Sequence, residues 1–256
     1  MLEAAWWGFV GGAALLVGAA MALWLRTSTR FVGLVMGFGT GVLFSAVAFE
    51  LTREAYDRAG ADAVVLGLLA GSLVFFAGDW VLDRRGAERR KSPTGMRADA
   101  TGGALVLGAL LDGIPESAAI GVSLIGGGGV GVAVVAAVFL SNIPEGLSAS
   151  SGMKASGRST AYILGLWAAV AAASTAAAAL GFALLGGSSP EVIAIVQAFA
   201  AGAILTMLSD TMVPEAVKHA GLSSVWSPSS GSSSRSCSRT PNPVAPPRRS
   251  CHHLPS

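Results

Sequence analysis

Seven long apolar stretches, parted by short polar breaks, run from the start of the chain to about residue 213. They lie near 4–25, 31–52, 62–82, 101–124, 129–152, 160–186 and 191–213. A helix needs roughly 20 apolar residues to cross about 30 Å of hydrocarbon, and each stretch has that length. The pattern predicts an all-α fold, a polytopic transmembrane helix bundle occupying residues 1–220. One polar break is long: residues 83–100, DRRGAERRKSPTGMRADA, read as a solvated basic loop. The opening Met1-Leu2-Glu3 has no basic region and no small-residue cleavage site follows, so the first stretch reads as a retained span.

Composition agrees. The 256 residues are 52% hydrophobic and only 12% charged, about half the charge of a typical soluble domain. The 34 glycines would weaken helices in water, but between membrane helices small residues allow close approach. With the N-terminus outside, the inner loops carry Arg26, Arg30, Arg84, Arg85, Arg89, Arg90, Lys91, Arg97, Lys154 and Arg158, whereas the outer loops carry Arg53 and Arg58. That bias sets the expected orientation, a multi-pass protein of the plasma (inner) membrane with its N-terminus outside. Anionic lipid headgroups suit the basic loop. Nothing points to a nucleic acid, and a homodimer is left open.

From about residue 221 the composition changes abruptly to Ser, Pro and Arg. Two readings stand: a disordered cytoplasmic tail, or a shifted reading frame that has replaced an eighth span. Cys237 and Cys251 lie in this segment and suggest no disulfide framework.

Charge inside the spans carries the chemistry. Asp112 and Glu116 fall in the middle of the fourth stretch and Glu145 deep in the fifth; Glu50, Asp79 and Asp210 lie nearer the ends of the second, third and seventh. Each central carboxylate costs roughly 2.5–3.5 kcal/mol to insert. Every Lys and Arg sits in a loop, a span end or the tail, and His219, His252 and His253 follow the last span. The partners left are protons, water or a bound cation, and a cation that displaces protons is a natural ligand for such groups.

Spacing groups them. Asp112 and Glu116 are i, i+4 neighbours on one helix face, and Ser141, Asn142 and Glu145 repeat that geometry. Pro115 and Pro144 each precede a Glu and free the carbonyls of Leu111 and Leu140. Leu111–Ser117 (LDGIPES) lines up with Leu140–Gly146 (LSNIPEG), and Phe38, Gly41, Glu54 and Ala55 line up with Phe199, Gly202, Glu215 and Ala216. Spans four and five, and two and seven, thus pair about the middle of the chain as an inverted repeat, with a site at the interface. Ser45 and Thr206 occupy matching repeat positions and read as helix-contact hydroxyls. Met36, Met207 and Met212 read as packing, and Gly126–Gly129 as an outer turn, since no Lys-Ser/Thr follows to make a phosphate loop.

These motifs resemble the ZIP (ZRT/IRT-like) family of metal transporters, whose His-Asn-x-Pro-Glu-Gly pattern is matched by Asp112–Ser117 and, more closely, by Ser141–Gly146. The resemblance covers about 1–220. It implies an eight-helix fold and a metal site between spans four and five, with Glu116 and Glu145 as bridging carboxylates, Asp112 in the place of a His and Asn142 at a ligand position. The implied cargo is Zn²⁺, Fe²⁺ or Mn²⁺, moved toward the cytoplasm. The chain departs from the family at both motif histidines, which are Asp112 and Ser141 here. An all-oxygen site leans to harder ions. The metal set is therefore Asp112, Glu116, Ser141, Asn142 and Glu145, with Glu50, Asp210, Ser45 and Asp79 along a pathway or gate. Two rivals remain: a membrane protein that binds or senses metal without transporting it, and an intramembrane metallohydrolase.

Overall fold

The computed structural model describes residues 1–25, 27–84, 102–125 and 131–220. The expectations for the basic loop, the Gly126–Gly129 turn and the segment after residue 220 fall outside these residues. The described chain forms helices α1 (Leu2–Trp24), α2 (Thr29–Ala46), α3 (Thr52–Leu82), α4 (Gly102–Ser123), α5 (Val132–Ala155), α6 (Thr160–Leu185), α7 (Pro190–Met207) and α8 (Val213–Ala220). Five-residue π-helical turns, Val47–Leu51 and Leu208–Met212, join α2 to α3 and α7 to α8.

Local chemistry sets several ends. Ser28 caps α2 by accepting from Phe31 N at 3.2 Å, and Ser159 caps α6 by accepting from Tyr162 N at 3.2 Å. Pro190 opens α7, where its missing N–H costs nothing. Lys154 Nζ, at the end of α5, donates to the Leu23 carbonyl at 2.7 Å near the C-terminus of α1, where a cation is favoured.

Thr29–Leu82 is one continuous helical stretch long and apolar enough to cross a membrane, as are Leu2–Trp24, Val132–Ala155, Thr160–Leu185 and Pro190–Ala220. The 54-residue stretch holds two spans because Gly60 takes φ 77° and ψ −171°, a conformation that only glycine adopts without strain. Contacts prove the reversal. Gly33 lies against His219 and Ala220, and Gly37 against Ala216, so α2 runs antiparallel to α7–α8. Beyond Gly60, Gly67 meets Ala198 and Ser72 Oγ donates to Gly202 O at 3.1 Å, so α3 runs parallel to α7. With α4, an apolar helix of 22 residues, the seven stretches read from hydropathy are seven helical rods of alternating direction. The break expected at residues 53–61 is itself helical up to Gly60.

The rods form two groups. In one, α1 packs along α5 and α6, and α4 packs on α6; in the other, α3 packs on α7, and α2 on α8. The groups meet where α2 crosses α5 and α4 crosses α7. The largest buried apolar cluster lies at this junction, with Met36, Leu43, Phe75, Ile120, Val138, Met207 and Met212, so the three methionines are packing residues. Leu66, Leu69, Leu73 and Phe76 of α3 point outward, as a lipid-facing surface requires.

Candidate metal centre

The buried acids sit where helices touch closely. Gly18 of α1 and Gly146 of α5 face each other's backbones: a Cβ on Gly18 would stand 2.1 Å from Ile143 O, and one on Gly146 2.3 Å from Leu15 O. This contact gives a physical reason for the glycine that ends the Ser141–Gly146 motif. At the matching position of α4, the buried Ser117 hydroxyl donates to Gly113 O at 2.7 Å.

Asp112, Glu116, Ser141, Asn142 and Glu145 are all buried, none more than 4% exposed. Both helices continue through Pro115 and Pro144. Against the second proline comes Gly39 of α2, where a Cβ would lie 2.9 Å from Pro144 Cγ and 3.2 Å from Leu140 O. The carbonyl freed by Pro144 therefore faces the seam between the two helix groups.

Asn142 is oriented from outside its own helix. Its Nδ2 donates to Gly11 O on α1 at 3.0 Å, and its buried Oδ1 has no hydrogen-bond partner among the described residues. A buried oxygen left so costs about 1–3 kcal/mol, and a cation is a partner that would remove this cost. Ser141 Oγ donates to Val138 O at 3.0 Å, which leaves its lone pairs open to a ligand. Asp112, Glu116 and Glu145 are each engaged in polar interactions of their own.

Among the described residues no three of His, Cys, Asp and Glu come together in a group that could hold a metal ion. Asp112 and Glu116 stand on α4 and Glu145 on α5. In the bundle α4 lies mainly on α6, whereas α5 lies on α1 and α2. The buried oxygens divide between Asp112 and Glu116 on α4 and Ser141, Asn142 and Glu145 on α5.

The other polar residues expected along a pathway or gate divide by position. Asp79 is buried on α3, and its neighbour Gly78 packs on Leu111 of α4. Glu50 and Asp210 are both exposed, one in each π-helical turn. Ser45 and Glu50 line a cavity of about 520 Å³ with Gly41, Phe49, Ala133 and Ala137 between α2 and α5. It ends one helical turn from Ser141. Thr206 Oγ1 donates to Gly202 O of its own helix at 3.0 Å rather than across a helix contact.

Sequence reading missed a second polar cluster. Gln197 Nε2 donates to Glu54 Oε2 at 2.7 Å, and Arg58 donates to Glu54 and to Ile125 O. Glu54 was visible only as a repeat match to Glu215; its partners lie 143 and 4 residues away in sequence, and the distant one left no local signal.

No family model matches the chain. The chain is similar to a protein of Arabidopsis thaliana whose name assigns it provisionally as a zinc transporter, at 29% identity over 214 residues, 82% of this chain. It spans about a third of that relative, 34% of its length. This likeness, to a protein named as a zinc transporter, stands beside the paired Pro-Glu motifs on two spans of an all-helical membrane bundle.

Proposed function

We propose that the chain carries a divalent metal cation across the membrane, toward the cytoplasm, by way of the buried oxygens on α4 and α5. The observation that carries this reading is the set of buried oxygens: three carboxylates and an oriented Asn142, in spans whose interior sequence holds no Lys, Arg or His. Buried ionisable groups in spans are costly and mark ion paths by default.

The cation is captured at Glu50, follows the α2–α5 cavity toward Ser141, and exchanges water for Asn142 and Glu145 oxygens. Movement of one helix group against the other then exposes the ion to the far side. Zn²⁺, Fe²⁺ and Mn²⁺ are the candidate ions. The oxygen-only ligand set favours the harder ones, while the name of the plant relative favours zinc.

The test is metal uptake by purified protein in liposomes, with a panel of divalent ions, comparing wild type with Glu116→Ala and Glu145→Ala. Both variants should lose most flux; equal flux in all three would overturn the site. That no three His, Cys, Asp or Glu side chains group together among the described residues favours a second reading, a membrane protein that binds metal without moving it. Saturable binding with no flux would identify that case. Flux without any hydrolysis sets aside a metallohydrolase.

A further inference from the structure

The two helix groups are tied at one end by a charged side chain. Arg58 sits on the last helical turn before the Gly60 reversal, in the group of α2, α3, α7 and α8. Its Nη2 donates at 2.9 Å to the carbonyl of Ile125, just past the end of α4 in the other group. Glu54 pairs with the same guanidinium, and Gln197 of α7, only 1% exposed, donates to Glu54 at 2.7 Å. The Arg58 side chain is 22% exposed. Beneath this network lies an apolar seal between the groups, Val122 and Ile125 against Ile193.

The repeat supplies a comparison. Val47–Leu51 and Leu208–Met212 are separated by the 161-residue spacing that also separates Phe38 from Phe199. The same spacing carries Glu54 to Glu215 and Arg58 to His219, at the other end of the bundle. There His219 Nε2 contacts Glu215 Oε2 at 2.8 Å, one turn away on the same helix. Two repeat-related acid–base pairs thus sit at opposite ends, and Arg58 reaches across to the other group while His219 pairs within α8.

We propose that Arg58, held by Glu54 and Gln197, is a latch that closes the N-terminal end of the bundle by fastening the α3 corner to the end of α4. The latch rests on the transport reading, because an end needs a closure only where something passes. Its mechanism is a charge-assisted hydrogen bond to a helix-end carbonyl, a strong type of tie that a modest displacement of either group breaks.

The test is cysteine accessibility, which needs no metal and so fails or succeeds independently of the uptake assay. In a full-length background with Cys237→Ser and Cys251→Ser, Val122→Cys reports the seal under the latch. Val32→Cys reports the opposite end, where Val32 is buried with Ala22 and Leu147. Arg58→Met should speed labelling of Val122→Cys by a small polar maleimide about tenfold, the size set by losing one hydrogen bond from a charged donor, and leave Val32→Cys protected. Gln197→Leu should act in the same direction with a smaller effect. Unchanged labelling at Val122→Cys overturns the latch. So does an equal rise at both reporters, which would show general loosening.

Discussion

Gly146→Ala tests whether α1 and α5 approach as closely as the structure shows. The added Cβ would fall 2.3 Å from Leu15 O and 3.0 Å from Leu15 C and Cα. Ordinary van der Waals contact begins near 3.4 Å, so α1 must recede by about 1 Å. Gly11, one turn back on α1, recedes with it. Its carbonyl now accepts from Asn142 Nδ2 at 3.0 Å, and the same shift takes that bond beyond hydrogen-bond range. Overpacking costs about 1–3 kcal/mol and the lost bond about 0.5–1.5 kcal/mol. The expected destabilisation is therefore about 1.5–4.5 kcal/mol, read as a lower unfolding midpoint in detergent. Asn142 also loses its orientation, so uptake should fall by more than protein yield alone explains. Gly165→Ala is the control. Gly165 lies exposed on α6 with no atom within 4 Å of the place an added methyl would take, and alanine there should be neutral or stabilising by up to about 1 kcal/mol. A Gly146→Ala protein with the wild-type midpoint and wild-type uptake would refute the close α1–α5 contact and the placement of Asn142 built on it.

Four further outcomes follow from the same geometry. A transported cation added at about 100 times its Kd should raise the unfolding stability by about 2.7 kcal/mol, and Glu145→Gln should abolish that rise; a shift that survives in the variant places the ion elsewhere. Asn142→Leu should cut cation affinity while uptake at saturating metal falls less, and unchanged affinity would remove Asn142 Oδ1 from the ligand set. Glu50→Gln, at an exposed position, should leave the unfolding midpoint unchanged but lower uptake at limiting metal, and full uptake there would close the α2–α5 cavity as an entry route. Protons compete with a cation for carboxylates, so uptake should vary with external pH between about 5 and 8; a flat profile would count against carboxylates as the ion's ligands.

What the sequence determined about this protein is what depends on local order along the chain. Span positions were legible because a membrane crossing is set by the length and hydropathy of one continuous segment. The pairing of Asp112 with Glu116, and of Ser141 and Asn142 with Glu145, was legible because residues three or four apart share a helix face. The inverted repeat was legible as residue matches, and the two π-helical turns fall on that repeat. Tertiary structure decided everything that needs two distant segments at once. It turned the chain at Gly60 and carried α4 onto α6 and α5 onto α1. It also joined Gln197 to Glu54 and Arg58 to Ile125. A helix's sequence fixes which residues share a face, but the direction in which that face points is set by the glycine contacts with its neighbours, and those belong to the packed bundle.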